Sequence, residues 1–420
     1  MWNRRVFLKA GGMSLVSFGL GPSFLGRAAL AAAPAGSPAR RKVLVTIFQR
    51  GAMDGLAAVP LLDDGALRRL RPRLAMSAAQ SAGEGTLLDL DGRFGLHPAF
   101  SPLLPLYRDG RLAVVHAVGS ADSTRSHFDA QDYMETGTPG RKGTPSGWLN
   151  RVVGELGHEG TPFRAVALTP TLPRSLYGPE PAVAVTNLAD FKVGVRGGGK
   201  AAAGAAGSGF EALYRQTSEE LLAATGGETF DAIQMLSAKQ VTSYRPAPGV
   251  DYPQGPLANA LRQIAMLIKA DVGLEVAFAE TGGWDTHVQQ GGAQGSFARR
   301  AGELARAVSA FWADLGAHAD DVAVMTMTEF GRTVAENGSG GTDHGHGSCL
   351  FLLGPGVAGG KVHGRLDSLD RDALFEGRDL PVTTDFRAVF AEVAQRHLGV
   401  APGAQLFPGW AGKGPGLFRG

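Results

Sequence analysis

The 420-residue chain has one cysteine, Cys349, so it can form no internal disulfide. Its stability must come from a packed core, with bound metal the other available crosslink. It also lacks a strong charge: 41 Lys and Arg stand against 39 Asp and Glu, for a formal +2. Both signs are interspersed along the chain, which argues against a nucleic-acid binder. No later stretch approaches 18 uninterrupted apolar residues, so no membrane span is expected after the leader. There is no Gly-x-x-x-x-Gly-Lys-Ser/Thr loop, no Gly-x-Ser-x-Gly elbow and no His-Glu-x-x-His. No repeat of 20–50 residues is visible, which excludes a solenoid or propeller. What is present is 44% hydrophobic and 19% charged, a globular balance. The 61 glycines and 24 prolines have no collagen period and imply many loops.

The first 31 residues carry Arg4, Arg5, Lys9 and Arg27 and no acid, and setting them aside takes the formal charge from +2 to −2. A charged start, a glycine-bearing apolar stretch from Ala10 to Leu25 and the small-x-small run Ala29-Leu30-Ala31 have the order of an export signal. The Arg4-Arg5 pair before Phe7-Leu8-Lys9 resembles a twin-arginine (Tat) signal. The expectation is a Tat leader over 1–31, a disordered mature start over 32–40, and one domain over 41–420. The mature chain is then periplasmic or secreted, meets the Tat translocase during export, and keeps no stable membrane span.

Along 41–420, apolar β-branched runs at Lys42–Phe48, Leu112–Val118, Phe163–Leu168, Ala182–Thr186, Leu274–Ala279, Val322–Met327 and Cys349–Leu353 predict strands. Helical spacing is found at 97–109, from Ser126 onward, at Trp148–Leu156, and at about 210–224, 227–243, 255–270 and 293–316. A last helix spans Thr383–Leu398, opened by a threonine cap. The run at 194–209 (GVRGGGKAAAGAAGSG) is a low-complexity insertion. Strands alternating with helices predict an α/β fold with a largely parallel sheet and helices on both faces. The polar clusters fall at the carboxyl ends of the strands, where open α/β sheets bind ligands.

Asp343-His344-Gly345-His346 packs a carboxylate and two imidazoles into four residues, and in an extended loop His344 and His346 point to one side. Such donors suit zinc, manganese or iron. Asp285 and His287 stand two apart in Trp284-Asp285-Thr286-His287, past another strand, and a metal site needs ligands from several loops. Asp54, flanked by glycines after the first strand, is a third candidate that reads in isolation as a turn aspartate. Glu280 and Glu329 each follow a strand as oxygen donors, and Arg332 is an anion-binding candidate. In Arg125-Ser126-His127-Phe128-Asp129, Ser126 begins a helix, so it is either a nucleophile or a simple cap, and Arg125 either clamps an anion or lies on the surface. His116, inside a buried strand, reads as a satisfied core histidine.

RGAMDGL, SHFDAQDYMETG, GWLNR, GGWDTH and TEFGRT…GTDHGHG, in this order behind a twin-arginine leader, resemble a large Tat-exported bacterial family, a domain of unknown function. That family is similar to the alkaline phosphatase and sulfatase superfamily. The resemblance implies a three-layer α/β/α, alkaline phosphatase-like domain. It implies one or two divalent ions, zinc first and manganese or calcium as alternatives, held by Asp54, Asp285, His287, Glu329, Asp343, His344 and His346. It places Ser126 as nucleophile beside Arg125. The implied activity is exported, metal-dependent hydrolysis of a small anionic phosphate or sulfate ester, or of a glycan-linked one. The alternative is a non-catalytic metal-containing binding or partner protein of the same fold.

Overall fold

The computed structural model describes residues 41–77, 85–158, 160–188, 244–401 and 405–420. The expected leader (1–31), mature start (32–40), insertion (194–209) and helices at 210–224 and 227–243 lie outside the described residues.

The first strand, β1 (Val43–Gln49), is buried at every position. Side chains alternate across a strand. Val43, Val45 and Ile47 therefore enter one apolar cluster, and Leu44 and Phe48 enter another. The same double burial holds for β2 (Leu112–Gly119), whereas β3 (Ala165–Ala167) and β4 (Val183–Ala184) are short. They are followed by β5 (Val276–Thr281), β6 (Val322–Met327), β7 (Ser348–Leu353), β8 (Val362–His363) and β9 (Thr384–Asp385). The nine strands form one sheet in the order β8–β2–β7–β6–β1–β5–β3–β4, with β9 also paired to β2. Both neighbours of β1 run parallel to it, and β7 alone is antiparallel to its neighbours β6 and β2.

Helices cover both faces. Of α1 (His127–Thr136), α2 (Trp148–Glu155), α3 (Pro256–Lys269), α4 (Ser296–Leu315) and α5 (Phe386–Leu398), the pair α3 and α4 packs on the Val45 face. The helices α2 and α5 pack on the Phe48 face, where Trp148 stacks on Phe390 at 4.6 Å. This is the three-layer α/β/α arrangement expected of the sequence. One boundary is corrected. Helix α5 opens at Phe386 and is capped by Asp385, which accepts from the Arg387 N–H at 2.8 Å, so the cap is a carboxylate two residues after Thr383. No helix among the described residues is long and apolar enough to cross a membrane.

His116 lies in β2 and is fully buried. Its Nε2 faces the Val59 carbonyl at 2.8 Å and its Nδ1 accepts from Ala117 N at 2.8 Å, so a neutral ring satisfies both partners. His397, at the end of α5, donates to the Val43 carbonyl at 2.9 Å. Burial pushes each imidazole down to about 4. Unfolding returns them to about 6.5, so between those values the unfolded chain binds more protons. Stability from these rings is complete above pH about 6.5 and is lost as pH falls toward 4, by roughly 3 kcal/mol for each ring. Urea unfolding of His397→Gln at pH 5 should therefore take up about one proton fewer than the parent. An unchanged pH slope would remove His397 from this account.

Candidate metal centre

Strands β1, β2, β5 and β6 all end at the same sheet edge, and β7 starts there. The loops 50–54, 120–126, 282–287 and 328–347 therefore meet. Their approach is close enough to demand glycine. A Cβ on Gly51 (φ +116) would lie 2.6 Å from Asp285 N, and one on Gly341 would lie 2.3 Å from the Thr286 carbonyl oxygen.

Arg332 stitches the loops together. Its buried guanidinium donates from Nε to the Ala52 carbonyl at 2.8 Å, from Nη1 to Thr342 at 3.1 Å and from Nη2 to Trp284 at 3.1 Å. Nη2 also reaches the Gly51 carbonyl and the Asp285 carboxylate. The guanidinium is thus consumed in holding loops, which corrects the expectation that Arg332 binds an anion.

Three imidazoles converge beside Asp285. His344 Nε2 lies 3.0 Å from His127 Nε2 and 2.9 Å from His287 Nε2. Asp285 Oδ1 is 3.1 Å from His287 Nε2 and 3.3 Å from His344 Nε2, and Oδ2 is 3.6 Å from His127 Nε2. Ligand atoms of His127, Asp285 and His344 all lie within 4.8 Å of one another. Each ring's other nitrogen faces an acceptor: His127 Nδ1 meets Glu329 Oε1 at 2.9 Å, His287 Nδ1 meets Asp343 Oδ1 at 3.0 Å, and His344 Nδ1 meets the Arg125 carbonyl at 2.9 Å. An acceptor at Nδ1 places the proton there and leaves Nε2 as a lone pair. Two bare lone pairs about 3 Å apart repel unless a proton or a cation lies between them. Neutral imidazoles with Nε2 inward and Nδ1–H anchored on a carboxylate or carbonyl are the ligand state that a divalent transition metal requires.

The charges fit this reading. Burial works to raise the Asp285 carboxyl, but the bond and charge of Arg332 outweigh it and hold it below the ordinary range. Burial likewise opposes ionisation of Glu329, and the hydrogen bonds from His127, Gln131 and the Gly51 N–H prevail. The Glu329 bond raises His127 against burial, whereas burial, then the charges of Arg332 and His127, lower His344. The four side chains keep 23–44% of their surface exposed, so solutes reach the centre.

Of the residues singled out in the sequence, the structure brings Asp285, His287 and His344 to one point, with Asp343 and Glu329 behind two of the rings. It does not bring Asp54 there. That carboxylate is buried and accepts from Arg71 at 2.8 and 3.1 Å, from Gln290 at 2.7 Å and from Ala57 N at 3.0 Å, which exhausts its oxygens. Nor is His346 brought in. The chain turns at Gly345, packed so tightly that a Cβ would lie 2.3 Å from the Arg332 carbonyl carbon. The His346 Nε2 then donates to the Ser120 carbonyl at 3.0 Å, and its ring lies 4.5 Å from that of Phe375. Glu280 pairs with Arg50. Ser126 caps α1 with a long 3.5 Å bond from Asp129 N, and the Arg125 guanidinium pairs with Asp379 and Glu376. His127 is the member of this cluster that sequence reasoning passed over, though its place, one residue past Ser126 at a helix start beyond a strand, was a usable signal.

The chain belongs to the family described as "Protein of unknown function (DUF1501)", whose model matches residues 93–407. No curated protein matches it. Among solved structures it is similar to a 2-O GAG sulfatase, at 10% identity and a TM-score of 0.34, over 88% of this chain and 72% of that one.

Replacing Arg332 with methionine should destabilise the protein by about 3–5 kcal/mol, because Asp285 loses its partner and buried carbonyls lose their donor. Denaturant midpoints measure this. A loss under about 1 kcal/mol would show that the loops hold themselves.

Proposed function

We propose that the chain is an exported, metal-dependent hydrolase of phosphate or sulfate esters, built around one divalent ion held by His127, Asp285, His287 and His344. The observation that carries this reading is the set of three inward Nε2 atoms, each with its Nδ1 anchored. The nitrogen-rich set fits zinc best and manganese or iron next, and it disfavours calcium, which takes oxygen ligands. The bound metal would supply Lewis acidity toward an ester oxygen. Export rests on the Arg4-Arg5 leader pattern.

The chain's own groups have separate tasks. Glu329, Asp343 and the Arg125 carbonyl fix the three tautomers. Arg332 holds Asp285 in its orientation. Ser126 stands at the N-terminus of α1, next in sequence to His127, with its hydroxyl only loosely engaged. In the serine route its Oγ bonds to phosphorus or sulfur as the ester oxygen leaves with a proton. Water then breaks the new bond and restores the hydroxyl. Should Ser126 serve only as a cap, the same centre suits the second reading, a metal-containing binding or partner protein.

Purified protein should contain close to one zinc per chain. His127→Ala or His344→Ala should abolish retention after dialysis, and Glu329→Gln should weaken affinity by roughly 10- to 100-fold. Two ions per chain, or zinc that persists in both histidine variants, would refute the quartet.

Ser126 is tested by activity against stability. On aryl phosphate, phosphodiester and sulfate esters, Ser126→Ala should lower turnover by orders of magnitude at unchanged zinc content if the hydroxyl attacks. A capping role predicts instead about 0.5–2 kcal/mol of lost stability and retained turnover.

A further inference from the structure

Four arginines lie around the centre, and three are spent. Arg332 is consumed by carbonyls and Asp285. Arg50 is bound by Glu280, Glu135 and Gln131. Arg125 is bound by Asp379 and Glu376. Arg378 differs. Its Nη2 donates to the His344 carbonyl at 2.8 Å, and its Nε lies 3.6 Å from Asp379 Oδ1, beyond hydrogen-bond range. The side chain is 41% exposed and makes no other polar contact among the described residues. Most of its N–H groups therefore face solvent.

The position is rigid. The Arg378 N–H donates to Phe375 O at 3.1 Å, and the Arg378 carbonyl accepts from Val334 N at 3.1 Å. The guanidinium is thus held by one contact to the backbone of His344, whose ring belongs to the cluster, and the rest of its fork is left to solvent. A planar guanidinium with free paired donors matches a tetrahedral oxyanion in bidentate fashion.

We infer that Arg378 is the residue that recognises the anionic group, phosphate or sulfate, of whatever the centre binds. The inference rests on reading the quartet as a metal centre, but it does not require turnover. Arg378 acts on binding rather than on the tautomers of the ligand rings.

Inorganic phosphate and inorganic sulfate, titrated separately by calorimetry into the zinc-loaded protein, are the probes. The wild type should bind at least one of them. Arg378→Ala should weaken that binding roughly 10- to 100-fold, the range expected when charged hydrogen bonds are lost. Arg378→Gln retains an N–H for the His344 carbonyl and should be as weak as alanine, whereas Arg378→Lys should recover part of the affinity. Zinc content should be equal in all four proteins. Agreement of the glutamine and alanine variants guards against a loss caused by the turn at 375–379 coming apart. Wild-type affinity in the alanine and glutamine variants would overturn the inference, as would a zinc-loaded wild type that binds neither anion. A wild type that binds phosphate through Arg378 yet hydrolyses no ester would retire the hydrolase reading and leave this one in place.

Discussion

The guanidinium of Arg332 is the interaction on which the rest of the site depends. It is buried and takes its acceptors from loops after β1, β5 and β6. A lysine there offers a point charge with three donors and cannot span acceptors set around a plane. The burial of that charge would be costly without Asp285, and Asp285 would turn toward water without Arg332. One ion pair therefore joins loop assembly to ligand orientation. The glycines at 51 and 341 permit the approach, and Arg332 holds it.

The centre's second layer decides what it accepts. Glu329 and Asp343 lie behind His127 and His287, and a neutral carbonyl lies behind His344. Two rings are thus made better donors by charge, and the third is only oriented. With Asp285 as the sole inward carboxylate and Arg332 offsetting its charge, the inner set is richer in nitrogen than in negative charge. Such a set would suit a borderline transition metal better than a hard alkaline-earth ion.

How much of this was legible in the sequence differs from residue to residue. The strands were legible because fully buried parallel strands read as continuous apolar runs, and Val322–Met327 was bounded to the residue. Asp285, His287 and His344 were legible because carboxylates and imidazoles two apart after a strand have few structural uses. Asp54 was not, because a helix-capping aspartate and a ligand look alike in GAMDG. What separates them is Arg71, 17 residues on, and Gln290, 236 residues on. His127 was overshadowed by Ser126, since only the folded chain shows which of two neighbours at a helix start faces the late histidine loop. Asp385 capped α5 in place of a threonine because two adjacent threonines and an aspartate are all competent caps. The choice among them depends on where β9 ends.

The antiparallel strand β7 explains why so much of the site comes from one loop. Had β7 run parallel to β6, the connection between them would have had to cross to the far edge of the sheet. Because β7 is antiparallel, it starts where β6 ends, and residues 328–347 can remain at the ligand edge throughout. That single connection supplies Glu329, Arg332, Asp343 and His344: one ring of the cluster, the carboxylates behind two other rings and the guanidinium that joins the loops. It folds back on itself, with Arg332 paired to His344 and Thr333 N donating to the Asp343 carbonyl at 2.9 Å, so that the connection itself ties these positions to one another. The remaining ligands then need only short reaches from β2 and β5. A reversal of one strand in an otherwise parallel sheet thus concentrates the machinery in a stretch of 20 residues, and any loop register shift there would move all four groups at once.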